Sequence, residues 1–296
     1  MIEIPAAAAK IGSPECHLDT VAASQHYPRA WFEDEAPQHT VALRAFAIDR
    51  VPVTNAAYAE FVAATGHVTA AERRGYGQVY GRDYWTIVPG TSWRHPHPDL
   101  DALAERPDHP VVHVDHIDAT TYAIWTGRRL PTEAEWEFAA HGRMWTAWPW
   151  GNDWDRDRAN TAEQWAVHQI HDLDAWKAWW RNHFDTHGYT PATTPVGATP
   201  AGASPFGVLD LAGNVAEWTA SSYLLYDGSR TYDPGYHAAA NHSHIAVRGG
   251  GWKSFRWQTR TSERIACTPG YSANDLGFRC ARDLHPTQPH PQCSTR

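Results

Sequence analysis

The chain has 296 residues, 42% of them hydrophobic, and a net charge of -8 when the histidines are neutral. That acidic balance excludes nucleic acid and anionic membrane surfaces as expected partners, and no apolar stretch approaches the length of a membrane span. With 16 Trp, 21 Gly and 21 Pro, the composition favours a loop-rich fold pinned by large side chains over a helical bundle. Lys10, Lys177 and Lys253 are the only lysines, so positive charge here is arginine. Cys16, Cys267, Cys280 and Cys293 show no close CxxC spacing, which argues against a zinc ribbon or a disulfide framework. The N-terminus lacks a basic segment followed by an apolar run, and a cytoplasmic protein is expected.

Taken in order, residues 41–53 (VALRAFAIDRVPV) alternate apolar and polar positions as a strand does. Thr54 reads as the N-cap of a helix over 55–64 that carries Tyr58, Phe61 and Val62 on one face. Residues 66–110 read mostly as loop, followed by a short apolar strand at 111–114. Asp118 is expected to cap a helix ending near Gly127. Thr132 and Glu135 have the spacing of a capping box ahead of Trp136 and Phe138. Beyond Gly142 the pattern is short strands and loops, apart from a helical-looking segment at 162–182. Residues 247–279 stand apart. They open on an arginine and three glycines, interleave Trp252, Phe255 and Trp257 with Arg256, Arg260 and Arg264, and close on a second Gly-Phe-Arg. Aromatics and arginines so mixed can stack on and fork-bind a polar ligand, or can equally form a core beside a glycine turn.

Several segments, in order, carry a resemblance: FAIDRVPVTNAAYAEFVAATGHVTAAE, GTSWRHPHP, RPDHPVVHVDH, GRRLPTEAEWEFAAHG, WPWGND, YTPATTPVG, FGVLDLAGNVAEWT, RGGGW and DLGFRCAR. Together they resemble the formylglycine-generating-enzyme, or sulfatase-modifying factor, family over nearly all of residues 2–283. The resemblance implies an α+β fold, a single loop-rich domain with a C-type-lectin-like core over residues 1–283, with a polar C-terminal tail at 284–296. It also implies a structural calcium held by the carboxylates of Asp210 and Glu217 and the carbonyls of Gly213 and Val215, the hard-oxygen set that this ion takes. Asn160 and Thr161 match the start of the family's second calcium site, but His187 stands where a carboxylate should close it.

The chain also departs from that pattern. Formylglycine synthesis in the family uses two cysteines after the GGS element as Cu(I) ligands. Ser254 occupies the first position here and Thr259 is nearest to the second. A hydroxyl does not replace a thiolate on a soft ion, so copper and cysteine-to-formylglycine conversion are not expected. His116 stands where most of the family has tryptophan, and reads as a packed residue. About a dozen extra residues fall between Asn160 and Gly188, making 162–187 a candidate lid. Read as a helix, it sets His168 with Asp172, and His183 with His187, at i,i+4, and His168 with His171 at i,i+3. Two such pairs and a carboxylate would suit non-haem Fe(II) with positions open for substrate and O2. The competing reading is an amphipathic cover packing Trp165, Trp176, Trp179 and Trp180 on the body.

The sequence reading is therefore a metal-dependent, O2-using oxidoreductase on a small molecule, with iron the expected transition metal. Ser254 and Cys267 are its candidate catalytic positions. Trp85, Trp93, Trp252, Arg260 and Arg264 are expected to line the substrate cleft, the arginines holding an anionic group. The alternative is a non-catalytic ligand- or protein-binding module of the same fold, which leaves a protein partner open.

Overall fold

The computed structural model describes residues 1–25, 28–97, 99–188, 192–231 and 234–284. It is a mixed helix-and-sheet domain in which short elements are joined by long, well-packed turns. At its centre lies a four-stranded sheet in the order Leu276–Phe278, Ala216–Ser222, Ile245–Arg248, Ile265–Cys267. The first pair is parallel and the other two are antiparallel. A second sheet ties the two ends of the described chain, with Ile2–Ile4 and Ala281–Asp283 flanking Phe46–Ile48. Two hairpins complete the strands: Ala7–Ile11 with His39–Leu43, and Tyr76–Tyr80 with Trp85–Pro89.

The Asn55–Thr65 helix starts as expected, with Thr54 Oγ1 accepting from the Ala57 amide, and ends on Gly66 in the left-handed region. Its Tyr58, Phe61 and Val62 face is buried against Tyr122, Trp93 and Phe278, forming the main core together with Trp218. The Glu133–His141 helix carries the expected reciprocal Thr132–Glu135 box. Trp136 and Phe138 fill a second core beneath Phe46 and Ile48.

Local expectation fails at several places, each for a tertiary reason. The single strand expected over 41–53 is broken between Leu43 and Phe46, because its halves pair with different sheets. Residues 66–110 are mostly irregular, as expected, but also hold the Ala70–Arg74 helix, a hairpin and the Ala102–Glu105 turn of helix. Residues 111–114 form no strand. Val111 N–H donates to Val53 O, His113 N–H donates to Ala273 O, and His113 adopts φ 58°, so these apolar residues are buried without a ladder. The helix at His116–Trp125 is capped by Asp115, with Asp118 reciprocating from the third position. The segment expected to be one helix is two, Ala162–Ala166 and Leu173–His187, separated at Val167, whose φ is 60°. The polar tail lies outside the described residues beyond Leu284. No helix among the described residues is long and apolar enough to cross a membrane.

Candidate functional site

The Ile245–Arg248 strand leads straight into the glycine run. Arg248 is fully buried and reaches Glu133 at 3.0 Å and Glu137 at 2.6 Å, which fixes the strand's end. The chain then turns through Gly249 and Gly250, with φ 91° and 64°. A Cβ at Gly250 would lie 2.4 Å from Gln258 O and 3.1 Å from both Ser254 Oγ and Thr259 Cγ2, so a side chain is excluded. The same contacts place the Ser254 and Thr259 side chains on the same side of Gly250, both at the space its missing Cβ leaves. Both hydroxyls are buried and committed to the backbone. Ser254 Oγ accepts from Gly251 N–H at 3.2 Å, and Thr259 Oγ1 donates to Arg256 O at 3.0 Å. They offer no thiolate to copper.

Beside this pair, Lys253 extends between the rings of Tyr80 and Trp85, 5.3 and 5.1 Å from their centroids, and pairs with Asp275 at 3.0 Å. Cys267 is half-buried nearby. Burial pushes its thiol up to about 12, Asp275 adds to that rise and Lys253 opposes it. A thiol held protonated in this way is a poor nucleophile. Trp252 is buried, donates to Asn274 O, and forms one wall of a cavity of about 270 Å³ reaching past Arg106, His97 and Thr193. Burial works against the charge of Arg106.

The insertion covers this region. Trp176 Nε1 donates to Lys253 O at 2.7 Å, Trp180 Nε1 donates to Gly81 O at 2.9 Å, and Trp180 lies 5.8 Å from Trp252. Arg82 clasps Asp185, and Arg181 reaches Asp83, latching the Leu173–His187 helix to the hairpin. The amphipathic cover is therefore what the structure contains at Trp176 and Trp180. Trp179 is only half-buried and Trp165 is 36% exposed, so the other two tryptophans do not share in it fully.

Several candidate residues are not where the sequence reading put them. His168 and His171 fall in the exposed connection between the two helices, where His168 bonds to Ala166 O. Asp172 is the N-cap of the second helix, its Oδ1 accepting from Ala175 N–H. His183 and His187 do lie one turn apart, their rings tilted and 4.7 Å between centroids. Among the described residues no group of three or more His, Cys, Asp or Glu side chains could hold a metal ion. The break at Val167 removes the face that the iron triad needed. His116 packs edge-on against Trp218 and bonds to Thr219 O.

Of the expected cleft residues, Trp93 is wholly in the core, while Trp85 and Trp252 flank the site. Arg260 and Arg264 are buried, with their forks closed on Glu35 and Glu133 respectively. Neither guanidinium is available to hold an anionic substrate. The calcium assignment meets a similar difficulty. Glu217 receives Arg279 through Nε and Nη2, both at 2.6 Å, and Trp136 Nε1 at 3.0 Å. Asp210 Oδ2 accepts from Gly197 N–H. One of the two carboxylates is thus already neutralised by an internal cation, and Asp210, Gly213, Val215 and Glu217 do not fit calcium as a four-ligand set. Lys253, Asp275 and Arg106 were missed by sequence reasoning. Each is a single charged residue amid loop, and only the folded hairpin and turn bring them to the site.

The family model for the sulfatase-modifying factor enzyme 1-like domain matches residues 2–284. The chain belongs to this family. It is 37% identical over 273 residues to the formylglycine-generating enzyme of Streptomyces coelicolor, covering 85% of this chain and 82% of that one. It is also 33% identical over 279 residues to inactive C-alpha-formylglycine-generating enzyme 2 of Mus musculus, covering 84% and 79%. PvdO from Pseudomonas aeruginosa shares the fold, with a TM-score of 0.61 at 24% identity over 95% of this chain and 93% of that one. The two sequence relatives overturn the reading as an iron-dependent oxidoreductase of a small molecule: they are named for formylglycine generation or for its loss.

Proposed function

We propose that this chain is a non-catalytic member of the formylglycine-generating family, one that keeps the fold and binds through its cleft without oxidising a cysteine. The observation that carries this is the Ser254–Thr259 pair. Two buried hydroxyls, each hydrogen-bonded to its own turn, lie beside Gly250: Ser254 where the family resemblance calls for the first copper-binding thiolate, and Thr259 as the residue nearest to the second. The name of the inactive relative supports it, since loss of the chemistry with retention of the fold has a counterpart in the family. Cys267 does not rescue the chemistry, because it supplies one thiol where two are needed, and burial and Asp275 oppose its thiolate. The cavity beside Trp252, with Arg106 on its wall, is the binding space of this reading.

The test is a conversion assay. Purified protein is supplied with Cu(I), O2, a thiol reductant and a cysteine-containing sulfatase peptide, and the peptide is followed by mass spectrometry and by aldehyde-specific labelling. No aldehyde is expected. Peptide oxidised with turnover would overturn the proposal. A companion variant, Ser254→Cys with Thr259→Cys, is expected to gain Cu(I) binding that the natural chain lacks, read by competition with a chromophoric Cu(I) chelator.

A further inference from the structure

Behind the Phe255–Arg264 segment lies a second cavity, of about 190 Å³, which shares no lining residue with the one beside Trp252. Its walls are aromatic: Trp31, Phe32, Tyr236, Phe255 and Trp257. Its polar residues include three carboxyls, Asp34, Glu35 and Glu263. These belong to a buried ionic cluster in which five carboxyls (those three, Glu133 and Glu137) meet three guanidiniums, Arg248, Arg260 and Arg264. Glu133 has the fork of Arg264, Glu137 has Arg248, and Glu35 has the fork of Arg260.

Glu137 takes one nitrogen of Arg248 and the Gly12 amide, which leaves Asp34 and Glu263 as the two carboxyls with no guanidinium of their own, and both line the cavity. Glu263 shares Nη2 of Arg260 with Glu35, at 2.5 and 2.6 Å, and meets Glu35 itself in a side-chain hydrogen bond. Asp34 is 3% exposed, and its hydrogen bond from Tyr223 goes to Oδ2, which leaves Oδ1 without a donor among the described residues. A buried carboxyl lacking a counter-cation is held uncharged or takes up a cation. Consistent with this, burial and the neighbouring carboxylates push Asp34 up to about 6 and Glu263 up to about 8, against the opposing pull of the arginines. The walls suit a positive guest, because the negative face of an aromatic ring attracts a cation. Phe32 already faces Arg260 at 5.7 Å.

We propose that this cavity binds an alkylammonium group, such as a lysine side chain or a free primary amine, with its –NH3⁺ donating to Asp34 and Glu263 and its methylenes lying on the aromatic walls. An ammonium has three donors on a compact head and a slim apolar stem, which matches a small cavity with two acceptors at its charged end. The inference is independent of the cysteine chemistry and would stand if the proposed function failed.

The experiment titrates the full chain with n-butylammonium chloride by calorimetry and by the fluorescence of Trp31 and Trp257, alongside 1-butanol as the uncharged analogue. Saturable binding of butylammonium is expected, with none for butanol. Asp34→Asn and Glu263→Gln are each expected to weaken it at least tenfold. Trp31→Leu, at an exposed ring that leaves the ionic cluster intact, is expected to weaken it several-fold and supplies the test should Asp34→Asn not fold. Absence of butylammonium binding, equal binding of butanol, indifference to both carboxyl variants, or displacement by millimolar Ca2+ or Mg2+ would each overturn it. A capped Gly-Lys-Gly peptide separates the two sources: tighter binding than butylammonium assigns a protein lysine, and weaker binding assigns a free amine.

Discussion

Replacing Arg260 by methionine tests whether this arginine is structural, as its surroundings say, or a substrate anchor, as its sequence context suggested. Arg260 is fully buried and donates to Glu35 at 2.7 and 2.6 Å, to Glu263 at 2.5 Å and to Trp257 O at 2.8 Å. Methionine keeps much of the volume but removes every donor. Glu35, 1% exposed, then has no guanidinium donor and keeps the Ser13 hydroxyl, at 2.7 Å, and its neighbour Glu263. Removing one partner of a buried pair destabilises by about 3–5 kcal/mol, because the other charge stays desolvated. In the natural protein burial raises Glu35, but Arg260 together with Ser13 and His17 overcomes it and holds Glu35 below the usual carboxylate range. Without it, burial and the adjacent carboxyls raise Glu35 instead, so the variant should recover part of its stability as pH falls and that proton is taken up. Urea denaturation at pH 5 and pH 7.5 reads both effects. A loss under 1 kcal/mol at pH 7.5, or a deficit that does not shrink at pH 5, would refute the structural assignment.

Two further perturbations follow from the same geometry. Glu263 is pushed up to about 8. Between its unfolded value near 4.3 and that folded value the native state binds the extra proton, so this group's contribution to stability falls as pH rises. Glu263→Gln should therefore flatten the pH profile between about 5 and 8, and an unchanged profile would rule out this source. Trp180 is buried between Trp176, Trp252 and Gly81 O. Trp180→Ala should cost about 3–5 kcal/mol of packing. Hydrogen exchange should then rise in Leu173–His187 well before it rises in the central sheet, and uniform loosening of both would show that the helix is not a separable cover.

The sequence by itself determined the family and the fold class. These rest on residue types that act locally or in fixed combinations: the Thr132–Glu135 box, Thr54 as a cap, and the GNVAEW and RGGGW turns. It also identified Ser254 as a hydroxyl in place of the first thiol, with no cysteine near Thr259 to supply the second, since a substitution at a motif position needs no coordinates to be seen. It misassigned whatever depends on which charges find each other across the chain. Arg260 and Arg264 looked like ligand anchors until Glu35 and Glu133, more than a hundred residues away, closed on them. Glu217 looked like a calcium ligand until Arg279 filled its carboxylate. The inserted histidines looked like a triad because helical spacing was extended through Val167, where the backbone turns left-handed. Periodicity describes one element's faces. Long-range ion pairing, and the breaks that let elements dock, are decided only when the whole chain has packed, because a buried charge is stable only beside the partner that the fold delivers.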